Sequence, residues 1–476
     1  MSPLVATVLY VLLILGLFWL DRDKKVRTSA ALWIPVVWFS ISCSRSVTQW
    51  LNIGTPVESA DQVLDGSPVD RFFYTCLLAI AIAVLATRAQ RIGKLLIRNG
   101  PILLFFFYCV VSLLWSDFPS VAFKRWTKAI GDLAMILIVL SDREPLAAVQ
   151  RLIARAGYVL VPLSILFIKY YPTLGVYFGP WGGGTGYVGV TTNKNTLGAV
   201  CLFLGLGALW RFLAVCQEPK SDGRTRKMIA QAVFLVLVAW LLYKTNSMTS
   251  LSCFLMGSVL LVAANLRVVI RKPLLVHLLV VAMLIAAVMV LFFGVSPGAL
   301  ETMGRNATLT DRTEVWAMLL TLVKNPWLGT GFESFWLGPR LERMWDRYWW
   351  HPGEAHNGYL EIFINLGWVG VALLGGVIMT GYRKIFRAWR NNIPISNLCL
   401  AYFFVGLVYN FTEAAFFRML APAWLFFLFA IVGVSAFSSR KGKLSERSLV
   451  QPAGPLVREQ LALTSSAAAA GPLWKL

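Results

Sequence analysis

Long apolar runs separated by mostly short polar segments dominate the pattern of the chain. Many runs approach the roughly 20 residues that a helix needs to cross a hydrocarbon core of about 30 Å. The pattern predicts an all-α polytopic membrane protein with about twelve or thirteen transmembrane helices, since two of the runs are short. The predicted spans are 4–20, 30–43, 71–87, 101–115, 129–141, 155–170, 196–213, 229–244, 249–265, 273–293, 358–380, 396–411 and 416–437.

Four polar segments on one side are longer than the rest: 44–70, 116–128, 171–195 and 294–357. Segment 294–357 is long enough to be functional rather than a passive connection. Asp311 and Glu314 have the spacing of a capping box at a helix start. Apolar residues then recur at helical spacing until Asn325-Pro326, which ends the helix. We therefore predict that 294–357 is a large extracytoplasmic loop, which contains a short amphipathic helix that lies across the outer mouth of the bundle.

The basic residues are distributed unequally between the two sides. The chain has 44 Lys and Arg residues; about 29 lie in one alternating set of connecting segments and the other 15 in the opposite set. Because cytoplasmic loops are enriched in Lys and Arg, the first set is predicted to be cytoplasmic. This places the N-terminus and 294–357 outside and the C-terminus inside. It also accounts for the net charge of +21 without nucleic acid.

Composition supports a single membrane domain at 1–437 followed by a tail. Hydrophobic residues make up 58% of the chain and charged residues 14%, which excludes an ordinary soluble domain. The tail, 438–476, is rich in Ser, Ala, Pro and Gly and is predicted to be disordered. The first apolar run lacks a basic n-region and is expected to remain as an anchor. The seven cysteines occur singly, and no carboxylate or histidine cluster has metal-ligand spacing, so no metal or cofactor is predicted.

The predicted outer loop contains arginines interleaved with tryptophans. Its arginines are Arg305, Arg312, Arg340, Arg343 and Arg347, and its tryptophans include Trp316. Guanidinium groups bind phosphate through two parallel hydrogen bonds, and flat aromatic faces suit the C–H faces of sugars. Tryptophans also anchor helices at membrane interfaces without any function. The arginines run against the positive-inside bias, which favours a functional use for some of them.

A glycine-rich stretch, 182–186, leads to Asn193-Lys194-Asn195 at the start of the seventh span. A helix N-terminus presents free N–H groups and the positive end of a dipole, which together favour an anion. Lys194 adds a full charge. Two interpretations stay open: Asn193 or Asn195 only caps the helix, or the cap also contacts an anion.

His356 lies where the chain re-enters the membrane, at the start of the eleventh span. Histidine exchanges a proton near neutral pH, which makes His356 a candidate general base and His351 the less favoured alternative. Glu361 follows in the same helix. An intramembrane carboxylate is a functional candidate, and Glu361 is predicted to orient or pair with the base.

Four motifs resemble those of the O-antigen ligase and polymerase superfamily, especially its exopolysaccharide-polymerase-like branch. Residues 193–198 resemble a K-N-x-L-G signature, and 311–316 resemble G-R-x-x-x-W with Asp311 in place of glycine. Residues 325–332 resemble a P-x-x-G-x-G-F turn, and His356-Asn357 with Gly367 and Gly370 fits H-[NSQ]-x9-G-x2-[GTY]. The resemblance covers a core of about 185–380.

The resemblance implies a metal-independent glycosyl transfer at the periplasmic face of the bacterial inner membrane. A glycan on undecaprenyl diphosphate is the donor, and an acceptor sugar hydroxyl displaces the lipid diphosphate. In these roles His356 activates the hydroxyl and Arg312 contacts diphosphate. Further binding residues are Lys194, Arg305, Arg125, Asn193, Asn195 and Trp316. Other export and assembly proteins are expected partners, and the bilayer is the solvent.

Three functions remain open from the sequence. A polymerase and an O-antigen ligase, which joins glycan to lipid A-core or protein, use the same donor and differ in the acceptor. The K-N-x-L-G element favours the polymerase. A lipid-linked sugar flippase or other transporter would need polar residues along a path through the spans, whereas here they cluster in outer segments.

Overall fold

The computed structural model describes residues 1–23, 26–53, 62, 64, 66–178, 185–293 and 309–450, with the backbone alone for 290–293, 309–311 and 438–450. Regular structure in these ranges is almost entirely helical. The α-helices are α1 Pro3–Leu20, α2 Trp33–Ser42, α3 Val47–Trp50, α4 Pro68–Ala86, α5 Ala89–Ile97, α6 Gly100–Val111, α7 Pro119–Leu140, α8 Pro145–Tyr170, α9 Pro172–Gly175, α10 Lys194–Cys216, α11 Asp222–Thr245, α12 Met248–Asn265, α13 Arg267–Arg271, α14 Leu274–Phe293, α15 Leu309–Thr321, α16 Gly338–Arg347, α17 Gly358–Arg390, α18 Ser396–Tyr409 and α19 Pro422–Val450. The strands β1 Val176–Phe178 and β2 Thr185–Tyr187 form an antiparallel hairpin.

The predicted spans coincide with helices throughout the described chain. Seven of its helices are long and apolar enough to cross a membrane: α1, α4, α8, α10, α11, α12 and α17. Helices α5 and α6, bent by 90° at their junction, form a further candidate. Shorter apolar helices occupy Ala30–Ser42, Leu274–Met289, Ser396–Tyr409 and Pro422–Phe437. The all-α polytopic class is confirmed, and the count of twelve or thirteen crossings stays a prediction.

Hydrogen bonds between connecting segments divide the bundle into two ends. At one end, which we call the outer end, they join segments predicted to be outside: Arg45 to Thr191 (3.3 Å), Arg125 to Glu333 (2.7 Å) and Asn195 to Glu413 (2.9 Å). At the other end they join segments predicted to be inside: Arg211 to Asp21 (2.7 Å), Ser29 to Asp142 (3.0 Å) and Lys384 to Asn99 (3.1 Å). The two ends match the two predicted sets of segments, and which end is cytoplasmic stays a prediction.

The outer segments contain more helix than the sequence pattern predicts. Helix α15 ends before Asn325-Pro326, as expected, and α16 is a second short helix in the same loop. However, α15 begins at Leu309, so Asp311 lies in its first turn and the predicted capping box is wrong. Segment 116–128 is mostly helical because Pro119, a favoured first residue of a helix, starts α7 there. At the opposite end of the chain, α19 continues past the predicted boundary at 438 to Val450.

Helices α18 and α19 form the centre of the bundle. The buried faces of α18 and the first part of α19 carry closely packed aromatic rings, including the stacked pair Phe403 and Phe427 with centroids 5.2 Å apart. The connection between these helices, residues 410–421, returns to the outer end. The apolar centre therefore presents a short connection, which contains Glu413 and Arg418, to the segment that contains His356.

Candidate active site

A large cavity opens at the outer end of the bundle. Its volume is about 1240 Å³. Residues from the start of α10, from the segment before α17 and from the α18–α19 connection line it, and they include Asn193, Lys194, Asn195, His351, Glu354, His356, Glu413 and Arg418. The structure thus brings together elements that are more than a hundred residues apart in the sequence.

His356 faces two carboxylates within this cavity. Its Nδ1 lies 3.0 Å from Glu354 Oε1 and 3.5 Å from Glu413 Oε2, and the side chain is 37% exposed. Glu413 is more enclosed, with a side chain only 10% exposed. Carboxylates beside one ring nitrogen favour a proton on that nitrogen, which leaves Nε2 as the basic atom. The arrangement suits a general base that is held beside two carboxylates with Nε2 directed away from them.

Backbone contacts bring His356 and Glu413 together. The N–H of Gly358 donates to Asn410 O at 2.8 Å, and a Cβ on Gly358 would lie 2.0 Å from Asn410 Oδ1. That same amide oxygen accepts the N–H groups of Ala415 and Phe416, which closes the turn around Glu413. Only a residue without a side chain permits this approach of α17 to the α18–α19 connection.

Glu354, Glu413 and Arg418 were not predicted from the sequence. The guanidinium group of Arg418 forms an ion pair with Glu354. Glu413 and Arg418 lie near the short connection between the last two predicted spans, and Glu354 belongs to none of the four motifs. A charged residue at a membrane boundary is a candidate for function, and this criterion could have identified Glu413 from the sequence.

The start of α10 contributes both a cap and a cation to the cavity. Asn193 is the N-cap, and its Oδ1 accepts the Thr196 N–H at 2.8 Å. Asn195 donates from Nδ2 to Glu413 Oε1 at 2.9 Å. Lys194 is exposed and lines the cavity. Capping is therefore observed, and an additional contact of this helix start with an anion stays a prediction.

Arg312 and Trp316 line a smaller cavity of about 230 Å³ next to the first. Both cavities share Trp350, Pro352, Glu354 and His356. Arg312 donates to Thr412 O at 3.2 Å, and Trp316 donates from Nε1 to Ala355 O at 2.8 Å. The structure therefore brings Arg312 to the side of His356, whereas Trp316 also supports the backbone just before it.

Glu361 lies outside the lining of both cavities. Its carboxylate accepts the Ala355 N–H at 2.9 Å, Trp336 Nε1 at 2.7 Å and Asn365 Nδ2 at 3.1 Å. It therefore contacts the backbone next to His356 rather than the imidazole ring. This geometry fits the predicted orienting role and disfavours Glu361 as the base itself.

Two predicted anion contacts are not part of this arrangement. Arg125 lines a separate groove and donates to Glu333 O at 2.7 Å. The pKa of Arg125 is lowered by burial, and the neighbouring Glu333 carboxylate partly opposes this shift. Arg305 and the glycines at 182–184 lie outside the described residues, so their predicted roles stay predictions.

Glu354, His356 and Glu413 also form a potential metal site. Their ligand atoms all lie within 4.8 Å of one another. The spacing along the sequence does not indicate this cluster, because residues 354 and 413 approach each other only in the fold. Arg418 already neutralises Glu354, which opposes a cation at the same carboxylate. Independence from metal stays a prediction.

The other two motifs contact each other below the cavity. The N–H groups of Thr330 and Gly331 donate to Ile364 O and Asn365 O at 3.2 and 2.8 Å. Gly367 interrupts α17 with φ +63°, and a Cβ there would lie 2.2 Å from Trp327 O. The glycines of the turn and of the histidine motif thus allow 326–331 to pack against the broken helix that follows His356.

Comparison with known proteins finds similarity in the part of the chain that contains the candidate site. The family described as O-antigen ligase matches residues 222–375, which contain Arg312, Trp316, His356 and Glu361. The fold and this match define the class: a polytopic membrane protein whose residues 222–375 are similar to the O-antigen ligase family. The resemblance to the O-antigen ligase and polymerase superfamily is confirmed.

A particular relative is the exopolysaccharide production protein ExoQ of Rhizobium meliloti (strain 1021). The two chains are 26% identical over 288 residues, which is 58% of this chain and 63% of ExoQ. The alignment thus spans less than two thirds of the relative. It shows similarity to a protein named for exopolysaccharide production and leaves donor, acceptor and mechanism to be argued from the site.

Proposed function

We propose that the protein is a glycosyltransferase that extends a surface polysaccharide at the periplasmic face of the bacterial inner membrane. The donor is a glycan on undecaprenyl diphosphate, and the acceptor is a sugar hydroxyl. One observation carries the proposal: His356 lies between two carboxylates in a cavity that also contains Lys194 and adjoins Arg312. A base and several cations around one open cavity fit glycosyl transfer from a diphosphate donor.

The proposed step forms one bond and breaks one. The acceptor oxygen attacks the anomeric carbon of the donor sugar while His356 takes the hydroxyl proton. The bond from that carbon to the diphosphate oxygen breaks, and its electron pair leaves with undecaprenyl diphosphate. Glu413, whose Oε2 lies 3.5 Å from Nδ1, stabilises the positive charge that develops on the imidazole as it takes the proton.

The cations at the cavity act on the leaving group. Negative charge accumulates on the diphosphate as the sugar–oxygen bond breaks, and fixed positive groups that point at this charge lower the barrier. Arg312 offers a planar fork that matches phosphate oxygens, whereas Lys194 offers a point charge at a helix N-terminus. No metal is needed for this stabilisation.

Polymerase activity is favoured over ligase activity by two observations. The K-N-x-L-G element, Asn193–Gly198, lines the cavity of His356 in part, and ExoQ is named for exopolysaccharide production. A ligase acting on lipid A-core or protein is the second candidate, because it would use the same donor site. The polar lining gathers at one end of the bundle, which argues against a transport path.

Glycan products in a deletion strain distinguish the two candidates. Loss of a polymerase leaves single repeat units, whereas loss of a ligase leaves long polymer that is not attached to its acceptor. We expect single repeat units, restored to polymer by the wild-type gene and not by His356→Ala. Accumulation of long unattached polymer would contradict the polymerase assignment.

A further inference from the structure

A second cavity at the outer end is strongly basic. It has a volume of about 330 Å³ and lies between α4 and α7. Arg71, Lys124, Arg125 and Lys128 line it, and the described residues of its lining include no carboxylate. We call these four residues the basic groove. Basic residues at the predicted outer end run against the positive-inside bias, so the bias does not explain them.

Two carboxylates act on the basic groove, Glu333 beside Arg125 and Asp70 near Lys128, and the four cations of the groove outnumber them. Arg125 is 15% exposed and faces Glu333, whose Oε2 lies 3.7 Å away. Lys128 Nζ lies 5.3 Å from the centre of the Tyr74 ring, which attracts a cation without neutralising it. Lys124 is exposed. An anion in the groove would therefore meet several cations at once.

The surroundings of the basic groove point to a lipid rather than to a soluble anion. Helix α4 lies at the periphery of the bundle, since only 11% of its apolar stretch is buried inside the protein. Its exposed side chains include Phe72, Ile80 and Ile82. In a bilayer these side chains contact acyl chains, and the groove at the outer end of the same helix lies at the level of the head groups.

We propose that the basic groove binds the phosphate head group of an anionic membrane lipid, with the lipid tail against the exposed face of α4. Met419 lines both the groove and the cavity of His356, so the two sites adjoin. A polyprenyl diphosphate held there would wait beside the proposed catalytic cavity, an interpretation that rests on the proposed function. An anionic glycerophospholipid supplies the same chemistry from a second source.

Lipid binding to the full-length protein tests this proposal. Native mass spectrometry would compare undecaprenyl diphosphate, phosphatidylglycerol and neutral phosphatidylcholine on the wild type and on the double variant Lys124→Gln/Lys128→Gln. Each charge removed near a membrane surface weakens anionic lipid binding about fivefold, so the double variant should bind about 25-fold less. Lys324→Gln, an exposed outer lysine away from the groove, should bind as the wild type does.

The outcomes separate lipid source, folding and catalysis. Preference for the diphosphate lipid identifies a donor site, and equal binding of phosphatidylglycerol identifies a general anionic lipid site. The double variant Lys124→Arg/Lys128→Arg keeps both charges and should retain lipid binding. If the double Gln variant does not fold, the single variant Lys124→Gln takes its place in the comparison. His356→Ala should bind lipid normally even if it is inactive. Unchanged binding in the Gln variants, or equal loss in Lys324→Gln, would overturn the proposal.

Discussion

His356 adopts a backbone conformation that few residues other than glycine adopt, with φ +48°. Such a conformation costs free energy and persists only where the surroundings enforce it, which is frequent at functional sites. Here Glu361 holds the preceding N–H and Asn410 holds the N–H of Gly358. The position of His356 could be predicted from its motif. Its two carboxylate neighbours could not, because Glu413 approaches it only through the fold.

Arg312 tests whether the shape of the guanidinium group matters. Arg312→Ala should lower the transfer rate roughly 10²–10³-fold, the usual cost of losing a donor that stabilises developing negative charge. Arg312→Lys keeps the charge but loses the planar fork, so it should remain at least about tenfold below wild type. The rate would be measured with purified protein and lipid-linked donor. Arg343→Lys, exposed in α16, is the matched control, and equal effects at both positions would show that only bulk charge acts.

Glu413 tests the carboxylate neighbours of the base. Glu413→Gln keeps the size and the Oε1 contact with Asn195 but removes the negative charge that faces His356. The turnover should fall by more than about tenfold with little change in folded protein, because the protonated imidazole loses a partner. Glu342→Gln, exposed on α16, should turn over normally. Wild-type turnover of Glu413→Gln would remove this residue from the mechanism.

At the scale of elements, the sequence predicts helices better than it predicts how they end and bend. Apolar runs indicate where helices lie, and Asn325-Pro326 correctly ends α15. The break of α17 at Gly367 is not visible as a break, because the residues on both sides favour a helix. The break results from contacts with 326–331, a segment that approaches α17 only when the outer loop has folded.

The junction at Gly367 can be tested against a glycine of the same helix. In Gly367→Ala the new methyl group would meet Trp327 O in a conformation that alanine rarely adopts. Thermal denaturation in detergent should show that the free energy of unfolding falls by more than about 2 kcal/mol. In Gly376→Ala nothing lies within 4 Å of the new atom, so the free energy of unfolding should be unchanged or rise by up to about 1 kcal/mol. Equal stability of the two variants would contradict the proposed packing.

At the scale of the whole molecule, the unequal distribution of Lys and Arg predicts the orientation in the membrane. The two ends of the bundle in the structure match the two sets of segments from which the orientation was predicted. Length and hydropathy alone do not determine how many helices cross, because α7 carries charges and several helices are short. The orientation therefore rests on charge rather than on a count of spans.

Reporter fusions test this orientation. A reporter inserted between Arg343 and Arg347 should be active only outside the cytoplasm, and one fused beyond Val450 only inside, because positively charged segments stay in the cytoplasm. A fusion in 266–272 serves as an internal control and should report the cytoplasm. The reverse pattern would place the candidate active site in the compartment that lacks lipid-linked glycan donor.

Turnover of a lipid-linked donor by purified His356→Ala tests the central claim most directly. The account predicts a rate about 10²–10⁴-fold below wild type, with normal insertion, because the acceptor hydroxyl loses its base. His277→Ala should keep wild-type turnover, since His277 lies near the inner end and bonds to Tyr382 Oη at 2.6 Å. The wild-type rate should also survive EDTA, although Glu354, His356 and Glu413 lie close enough to hold a metal ion. Near-normal turnover of His356→Ala would contradict the account.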